Sequence, residues 1–338
     1  NKYGLIMATY KEIKGTNIEV LASDPSNPVE GQVWFNSTSN VLKGQAATTA
    51  GAWATGGALN TARRSLAGAG TENATIATGG FTTVFSGITE SYNGSSWTEV
   101  ADLNTARKVY TSAGSTPSAL VAGGNTSPTA RTANTELWDG SSWTEVNNLN
   151  TARQDSNIGG SYTTTAALCV AGVTPGGKTG VTESWNGTSW TEVGDLNVAK
   201  NSVGGSGDIT SSLIFGGTIP PGSYTGTAES WNGSAWTEVA DLNLARSQTS
   251  GSGADNTSAL AFSGLISPDT VKANTELWNG TSWAETTDLN TARRLAASSG
   301  VTAASALSIA GWTGTANLSA TEEWTGAGAP LVQTFTDS

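Results

Sequence analysis

The chain is a series of short apolar segments separated by turns rich in Gly and Asn, and the series repeats. A segment of small residues, such as "NSVGGSG" from Asn201, is followed by an apolar segment that ends in glycine, such as "SALVAGG" to Gly124. A variable stretch then leads to two segments that carry one Trp each, as in "TELWNG" and "TSWAET". Short runs of this kind between turn residues predict β-strands. Each repeat therefore predicts four strands, and no segment has the apolar spacing of an amphipathic helix.

The repeat has six copies at spacings of 44 to 47 residues. The second Trp of the phrase recurs at Trp97, Trp143, Trp190, Trp236 and Trp283, with Trp53 in an earlier partial copy. The first aromatic residue recurs at Tyr92, Trp138, Trp185, Trp231, Trp278 and Trp324. Six four-stranded units of this length predict an all-β, six-bladed β-propeller. We expect the small-residue strands to lie at the crowded axis and the Trp pairs to pack between neighbouring blades.

The two Trp-bearing strands of a repeat are joined by Asn-Gly, or by Asp-Gly in "WDGSSW". These dipeptides favour a type I′ hairpin turn, in which both central residues have positive φ. The same "N-G-S/T" matches the acceptor pattern for N-glycosylation, but the Asp-Gly copy keeps the turn without the Asn. We therefore interpret the repeated phrase as a hairpin with an aromatic residue on either side of its turn.

The two ends of the chain depart from the repeat. The last copy, "TEEWTGAGAP", lacks a second Trp, and "GAWATGG" around Trp53 supplies one. We therefore expect the strand at Trp53 to be the outer strand of the last blade, with "LVQTFTDS" as a competitor for that place. Residues 1–50 predict an N-terminal arm in which "GQVWFNSTSNVLKG" forms a hairpin. Residues 51–338 are assigned to the propeller.

Composition restricts the chemistry that is available to the chain. The formal net charge is −11, which disfavours nucleic acid as a partner, and no basic cluster in the sequence argues for an anionic membrane. The absence of His excludes Ser-His-Asp and Cys-His catalysis and imidazole metal sites. Cys169, the single Cys, is expected to be a buried strand residue. We therefore expect a non-enzyme with no catalytic residue, metal or cofactor, and leave a carbohydrate-active carboxylate pair as the catalytic alternative.

Residues present in every copy are interpreted as scaffold, because a catalytic group acts at one place. Glu recurs before the first aromatic residue, at Glu90, Glu136, Glu183, Glu229, Glu276 and Glu322. Arg recurs after the second Trp, at Arg63, Arg107, Arg153, Arg246 and Arg293, with Lys200 in the remaining copy. Long charged side chains near a core need partners. We therefore expect one structural Glu–Arg contact per blade, with a binding ring of carboxylates or cations as the alternative.

The repeat resembles the kelch repeat, in which a double Gly after an apolar strand is followed by an aromatic residue, a Trp about five residues later, and Arg. "ALVAGGNTSPTARTANTELWDGSSWTEVNNLNTAR" carries this pattern throughout, and the resemblance extends from about Gln45 to the end of the chain. It departs where the glycine pair is Ala171-Gly172, Ser263-Gly264 or Ala310-Gly311. The resemblance implies that the loops after the second and fourth strands of each blade open on the same face.

Residues that break the repeat on that face are candidates for binding. The loops after the second strand vary most, and we expect them at 81–88, 125–134, 173–181, 218–227, 265–274 and 312–320. The candidate binding residues are Phe81, Arg131, Lys178, Tyr224, Asp269, Lys272 and Trp312. Loop aromatic residues such as Trp312 and Tyr224 either anchor a ligand or pack within their own loop.

The N-terminal arm, followed directly by "GAWATGGALNTAR", resembles kelch-repeat proteins encoded by marine tailed bacteriophages. "GQVWFN" with its following "LKG" is also similar to hairpins of phage tail-fibre proteins. The resemblance implies a virion structural protein of the tail, a fibre or a capsid decoration. Its arm would bind other virion proteins, and its propeller would bind a host-surface glycan or another virion protein. The alternative is a bacterial extracellular kelch lectin or adhesin, which the arm and the lack of a secretion signal disfavour.

Overall fold

The computed structural model describes residues 18–25, 32–47, 51–110, 112–160, 163–327 and 330–335. All regular secondary structure in these residues is β-strand. The chain forms two compact units, of which one is Ala50–Gly326 and the other combines Asn1–Thr49 with Ala327–Ser338. Nowhere in the described ranges is there a helix that is long and apolar enough to cross a membrane.

The larger unit contains six four-stranded antiparallel sheets, which we number 1 to 6 in chain order. Their first strands are β5 (Ala67–Gly70), β9 (Ser112–Ser115), β13 (Asn157–Gly160), β19 (Gly204–Gly207), β25 (Ser250–Ser252) and β29 (Ala297–Thr302). Their second strands are β6 (Thr75–Phe81), β10 (Ser118–Ala122), β14 (Ala167–Val170), β20 (Ser212–Phe215), β26 (Ala259–Ile266) and β30 (Ser305–Trp312).

The two Trp-bearing strands complete each sheet. The third strands are β7 (Phe85–Tyr92), β11 (Thr135–Trp138), β17 (Thr182–Trp185), β23 (Ala228–Trp231), β27 (Thr270–Trp278) and β31 (Asn317–Thr325). The fourth strands are β8 (Trp97–Val100), β12 (Trp143–Val146), β18 (Trp190–Glu192), β24 (Trp236–Val239), β28 (Trp283–Glu285) and, in sheet 6, β4 (Ala52–Thr55). Sheets 3 and 4 each add a two-stranded ribbon, formed by β15 (Val173–Thr174) with β16 (Gly177–Lys178) and by β21 (Thr218–Ile219) with β22 (Ser223–Tyr224).

The first strands lie together, and their small residues make this possible. Each contacts the first strand of the next sheet, and β29 contacts β5. A Cβ atom on Gly68 would lie 2.7 Å from the backbone oxygen of Ser298, so a larger residue in β5 would separate it from β29. The first strands of all six sheets line a cavity of about 70 Å³. This volume is well below the ~300–1,000 Å³ of a typical small-molecule pocket.

The smaller unit contains one sheet built from both ends of the chain. Its order is β1 (Glu19–Leu21), β2 (Val33–Asn36), β3 (Val41–Ala47) and β32 (Pro330–Phe335). The hairpin of β2 and β3 is the one the sequence predicts, and β1 adds to it in parallel. Asp24 pairs with Lys43 at 2.6 Å and accepts hydrogen bonds from Asn36 and Trp34. The hydrogen bonds from Lys43, Asn36 and Trp34 lower the pKa of Asp24 to about 2.

The two terminal strands have different partners. Trp53 of β4 lies opposite Trp324 of β31, so β4 is the outer strand of sheet 6. The C-terminal strand β32 pairs with β3 instead. The assignment of residues 51–338 to the propeller is therefore wrong at its C-terminal end, because the compact unit of the repeats ends at Gly326. Residues 336–338 and 1–17 of the two predicted segments lie outside the described residues.

The Trp pairs pack between neighbouring sheets. Trp138 and Trp143 face each other across β11 and β12 with ring centroids 5.5 Å apart, and they share a buried cluster with Ile76 of sheet 1. Trp143 Nε1 donates to Thr89 Oγ1 of sheet 1 at 3.3 Å. The same bond to a Thr of the preceding sheet recurs as Trp190–Thr135, Trp236–Thr182 and Trp53–Thr275. These indoles contribute apolar area while their buried N–H groups remain hydrogen-bonded.

The hairpin turn between the aromatic residues differs from the predicted type I′ turn. Tyr92 pairs with Trp97, so the loop contains four residues rather than two. Gly94 has a φ of 90°, whereas Asn93 has no positive φ. Asn93 Oδ1 accepts the backbone N–H groups of Ser95 at 3.0 Å and Ser96 at 2.9 Å. The Asn is therefore selected because its side chain caps the turn, and Asp139 fills the same role in "WDGSSW".

We predict that Trp53→Ala lowers the free energy of unfolding by about 3–5 kcal/mol, the usual loss for a buried Trp. The indole packs on Phe262 and Trp324 with ring centroids 4.9 and 5.3 Å away. Urea unfolding followed by far-UV circular dichroism would measure the change. The control is Ala54→Ser, at an exposed position of the same strand, with an expected change within about 0.5 kcal/mol. Equal stabilities of the two variants would contradict the place of β4 in sheet 6.

Candidate functional site

Every sheet contains a buried ion pair between its third strand and the segment that precedes its first strand. Arg63 pairs with Glu90 in sheet 1, and both side chains are fully buried. Glu90 Oε2 also accepts the backbone N–H and the side-chain amide of Asn60 at 2.7 and 2.8 Å. The same contact occurs at Arg107–Glu136, Arg153–Glu183, Arg246–Glu276, Arg293–Glu322 and, at 3.1 Å, Lys200–Glu229. The repeated carboxylates therefore serve the scaffold.

The backbone of the same Arg bonds to the preceding sheet. Arg107 donates its N–H to Ser86 of sheet 1 at 3.1 Å, and its carbonyl accepts the N–H of Gly80 at 2.9 Å. Gly80 has a φ of 117°, in the region that favours glycine. The equivalent glycine bond from sheet 6 to sheet 1 joins Gly311 to Arg63 at 3.0 Å. One residue per repeat therefore ties two sheets together through its backbone and its side chain.

The residue after each buried cation differs in type among the repeats. It forms a β-bridge with the residue that follows the glycine pair. We call these bridged positions the variable pairs: Arg64–Phe81, Lys108–Asn125, Gln154–Val173, Asn201–Thr218, Ser247–Leu265 and Arg294–Trp312. Sheets 6, 1 and 2 contribute a cation each, and two of these sheets add a large aromatic ring. Sheets 3, 4 and 5 contribute only neutral residues. The repeated scaffold thus carries one chemically distinct sector.

The cations and rings of the variable pairs of sheets 6, 1 and 2 form, together with Phe85 of β7, a basic–aromatic cluster of Arg64, Lys108, Arg294, Phe81, Phe85 and Trp312. The Arg64 guanidinium lies 4.8 Å from the ring centroid of Phe81 and 4.3 Å from that of Trp312. The Lys108 ammonium lies 4.6 Å from the centroid of Phe81 and 5.4 Å from that of Phe85. Cation–π attraction of this kind holds the cations in place.

Two of the residues predicted for binding, Phe81 and Trp312, belong to this cluster, but its three cations were not predicted. The sequence shows no basic cluster because Arg64, Lys108 and Arg294 lie far apart along the chain. A signal was present, since each follows the repeated Arg directly, in "ARR", "ARK" and "ARR". Arg64, Lys108 and Arg294 stand where the other three repeats place Gln, Asn or Ser.

The cluster is electrostatically unbalanced. Burial lowers the pKa of Arg64, and the neighbouring charge of Arg294 lowers it further. Burial likewise lowers the pKa of Lys108, with a further contribution from Arg64 and an opposing one from Asp155. Within the described residues, the ion pairs involve the six buried repeat cations and Lys43, and none involves the cluster. The three cations therefore repel one another without a carboxylate in contact.

A second contact on the variable loops joins Tyr224 to Asp269. The Tyr224 hydroxyl donates to Asp269 Oδ1 at 3.1 Å, which links β22 of sheet 4 to the loop between β26 and β27. Burial raises the pKa of Tyr224, and the hydrogen bond and charge of Asp269 add to the increase. These two predicted residues therefore lie together.

The remaining predicted residues are half-buried in separate sheets: Arg131 lies between β10 and β11, Lys178 in β16 and Lys272 in β27. Across the described part of the chain, no ion pair or ring contact joins them to the basic–aromatic cluster or to one another. Arg131 bridges Asn125 through its backbone, and Lys178 pairs with Val173 in the ribbon of sheet 3.

Several predicted loops are partly strand. β6 continues to Phe81 and β7 begins at Phe85, so most of the predicted loop 81–88 lies in strands. The predicted loops 265–274 and 312–320 are shortened in the same way by β26 with β27 and by β30 with β31. In these three sheets the register shifts just before the second residue of the glycine pair. The second and third strands then pair again beyond that residue, so both strands continue.

The other reactive groups of the described residues do not assemble a site. Cys169 is fully buried in β14, and burial raises the pKa of its thiol. No group of three or more His, Cys, Asp or Glu residues in the described ranges is placed to hold a metal ion. The cluster and the Tyr224–Asp269 contact are therefore the candidate functional features.

Comparison with known proteins supports the fold. No protein-family model and no curated protein matches the chain. Among solved structures, that of YjhT is similar, with a TM-score of 0.68 and 13% sequence identity, over 82% of this chain and 99% of that chain. An identity this low carries information about the fold alone. Together with the arrangement of the sheets, the likeness defines an all-β, β-propeller-like architecture.

We predict that Arg153→Met lowers the free energy of unfolding by about 3–5 kcal/mol, because it leaves the buried Glu183 without its counter-charge. Chemical denaturation would measure the loss. The matched control is Arg131→Met, at a half-buried arginine with no carboxylate partner in the described residues, which should cost less than about 1 kcal/mol. A loss no larger than that of the control would show that the buried pair is dispensable.

We predict that Asp269→Asn lowers the pKa of Tyr224 towards 10, the ordinary value of tyrosine. A neutral amide removes the negative charge that disfavours tyrosinate. The ultraviolet absorbance of tyrosinate, recorded for each background minus its Tyr224→Phe variant, isolates this residue. An unchanged titration midpoint would mean that the hydrogen bond to Asp269 does not form in solution.

Proposed function

We propose that the chain is a non-enzymatic virion structural protein of a tailed bacteriophage, built on a closed six-bladed propeller of the kelch type. Its propeller binds a host-surface glycan or another virion protein, and the segment of residues 1–50 binds virion proteins. The observation that carries the binding function is the contrast between repeated and variable positions. Repeated charged residues are buried in pairs such as Arg107–Glu136, whereas the variable pairs place half-buried cations and aromatic rings in one sector.

The closed propeller is supported by contacts that run from sheet to sheet. Arg63 bonds to sheet 6 through its backbone and to Glu90 of sheet 1 through its side chain. The contact between β29 and β5 connects the same two sheets. A rigid propeller with variable loops is a common scaffold for recognition, because the loops change without loss of the fold.

The virion assignment rests on the resemblance of the N-terminal segment and the repeats to kelch-repeat proteins of marine tailed phages. Weak binding by each copy suits such a location, because many copies on one particle raise the overall avidity. A bacterial extracellular lectin or adhesin is the alternative, and it uses the same propeller surface. A carbohydrate-active enzyme is less favoured, because the repeated Glu residues are held in buried ion pairs.

The first experiment is to purify phage particles from lysed cultures on a density gradient and to quantify peptides of this chain by mass spectrometry. We expect co-purification at a fixed ratio to the major capsid protein, and that ratio would indicate the location in the particle. A host outer-envelope protein, quantified in the same fractions, is the control for contamination. Recovery of the chain only with the host envelope or the culture fluid would overturn the virion assignment and favour the bacterial lectin.

A further inference from the structure

We propose that the basic–aromatic cluster binds an acidic glycan, through a carboxylate or sulfate group received by Arg64, Lys108 and Arg294. The inference rests on the proposed function and specifies its ligand class. It goes beyond that function because it assigns the binding to one sector of the propeller and to a negatively charged group of the glycan.

The charge of the cluster is opposite in sign to the net charge of the chain. The formal net charge is −11, yet the variable pairs of sheets 6, 1 and 2 place three cations on neighbouring sheets. Beside the larger effect of burial, the charge of Arg294 lowers the pKa of Arg64, and the charge of Arg64 lowers the pKa of Lys108. A bound anion would relieve this repulsion, so the cluster is poised for anion binding.

The arginines of the cluster retain N–H donors that the described part of the protein does not use. Guanidinium has five N–H donors. Arg64 uses Nη1 for Asn317 Oδ1 at 2.7 Å, and Arg294 uses Nη1 for Gln248 Oε1 at 3.3 Å. Among the described residues, Arg294 Nε is buried and has no partner. Carboxylates and sulfates accept several N–H bonds at once, and charged hydrogen bonds of this kind are strong.

The cluster is preorganised by Asn317. Its amide accepts from Arg64 Nη1 and donates to the backbone oxygen of Thr82 at 2.7 Å, so one side chain connects sheets 6 and 1 beside Arg64. Phe81 and Trp312, with ring centroids 4.8 and 4.3 Å from the Arg64 guanidinium, restrict its movement further. A cation fixed before binding loses less rotamer entropy when the ligand arrives.

The charge balance selects an acidic glycan over a nucleic acid. Duplex DNA carries one negative charge per ~1.7 Å of its axis, and a surface with the net charge of this chain repels such a polyanion outside the cluster. A polyuronate or sulfated polysaccharide carries its charges farther apart and presents neutral hydroxyl groups between them. One acidic residue of such a chain can meet the cluster while its neighbours face half-buried neutral residues of the other variable pairs, such as Gln154 and Thr218.

The test is binding of the full-length protein to immobilised polysaccharides, measured by biolayer interferometry in 0.05 and 0.3 M salt. The probes are alginate as the carboxylate, carrageenan as the sulfate and dextran as the neutral polymer, with duplex DNA as a fourth surface. We expect alginate or carrageenan to bind at least tenfold more tightly than dextran, with weaker binding at high salt. The stronger of the two identifies the acidic group.

The diagnostic variant is Arg64→Gln with Lys108→Gln, for which we expect at least a tenfold loss of acidic-glycan binding. The charge-matched control is Thr98→Glu with Thr144→Glu, on exposed positions of β8 and β12. It changes the net charge by the same amount and should weaken binding less than twofold. The charge-conserving variant Arg64→Lys with Lys108→Arg should retain most of the binding. If the double Gln variant fails to fold, Lys108→Gln alone, at a half-buried position, should still lose at least threefold.

The outcomes separate the inference from the function on which it rests. Equal losses in the Gln variant and in the charge-matched control would overturn the assignment to the cluster. Tight binding of dextran, unaffected by the Gln variant, would overturn the acidic ligand but leave a glycan-binding virion protein. Binding to duplex DNA above both acidic glycans would replace the ligand class. Binding to none of the four surfaces, in a protein that co-purifies with particles, would reject the acidic glycan and favour a virion protein as the partner.

Discussion

The buried contact between a cation and Glu is the interaction on which the other features of the repeats depend. An ion removed from water costs several kcal/mol unless a counter-ion and further hydrogen bonds receive it. In sheet 1, Glu90 supplies the counter-ion for Arg63, and Asn60 holds the second carboxylate oxygen. The two charged residues are separated by 27 to 30 residues in the sheets that use Arg. The variable loop lies inside that interval, so changes of loop length are absorbed without moving the pair.

The features that recur six times could be predicted from the sequence. A residue type that is kept in every copy of the repeat indicates a structural requirement rather than a chance occurrence. The Trp pairs, the Glu–cation contacts and the place of Trp53 follow from that logic. Features that occur once were harder to predict. The strand Pro330–Phe335 has no counterpart in the repeats, and its partner β3 lies almost three hundred residues earlier. The turn at Asn93 was misassigned because its dipeptide suits two loop lengths, and the side-chain cap selects the longer one.

The candidate site was the least predictable part for a related reason. Its cations come from sheets 6, 1 and 2, and only the three-dimensional order of the sheets makes Arg294 a neighbour of Arg64. Phe81 and Trp312 could be predicted as binding candidates because large aromatic residues in variable loops are common in binding sites. Arg64 and Arg294 could not, because each directly follows a structural Arg in the sequence and resembles part of the repeated motif. In the structure the two adjacent cations have opposite roles, since Arg63 is fully buried against Glu90 while Arg64 is half-buried among rings.

The pairing of β4 with β31 also constrains how the chain reaches its native state. Sheet 6 joins residues that lie about 270 positions apart, and closing a loop of that length costs about 5 kcal/mol of chain entropy. During synthesis β4 remains without its partner β31 until almost the whole chain has left the ribosome. A chain interrupted before β31 exposes the edge of β4, and a chain that lacks β4 exposes the edge of β31. One chain of each kind can complete the sheet of the other by strand exchange, and either exposed edge can pair with another chain and promote aggregation.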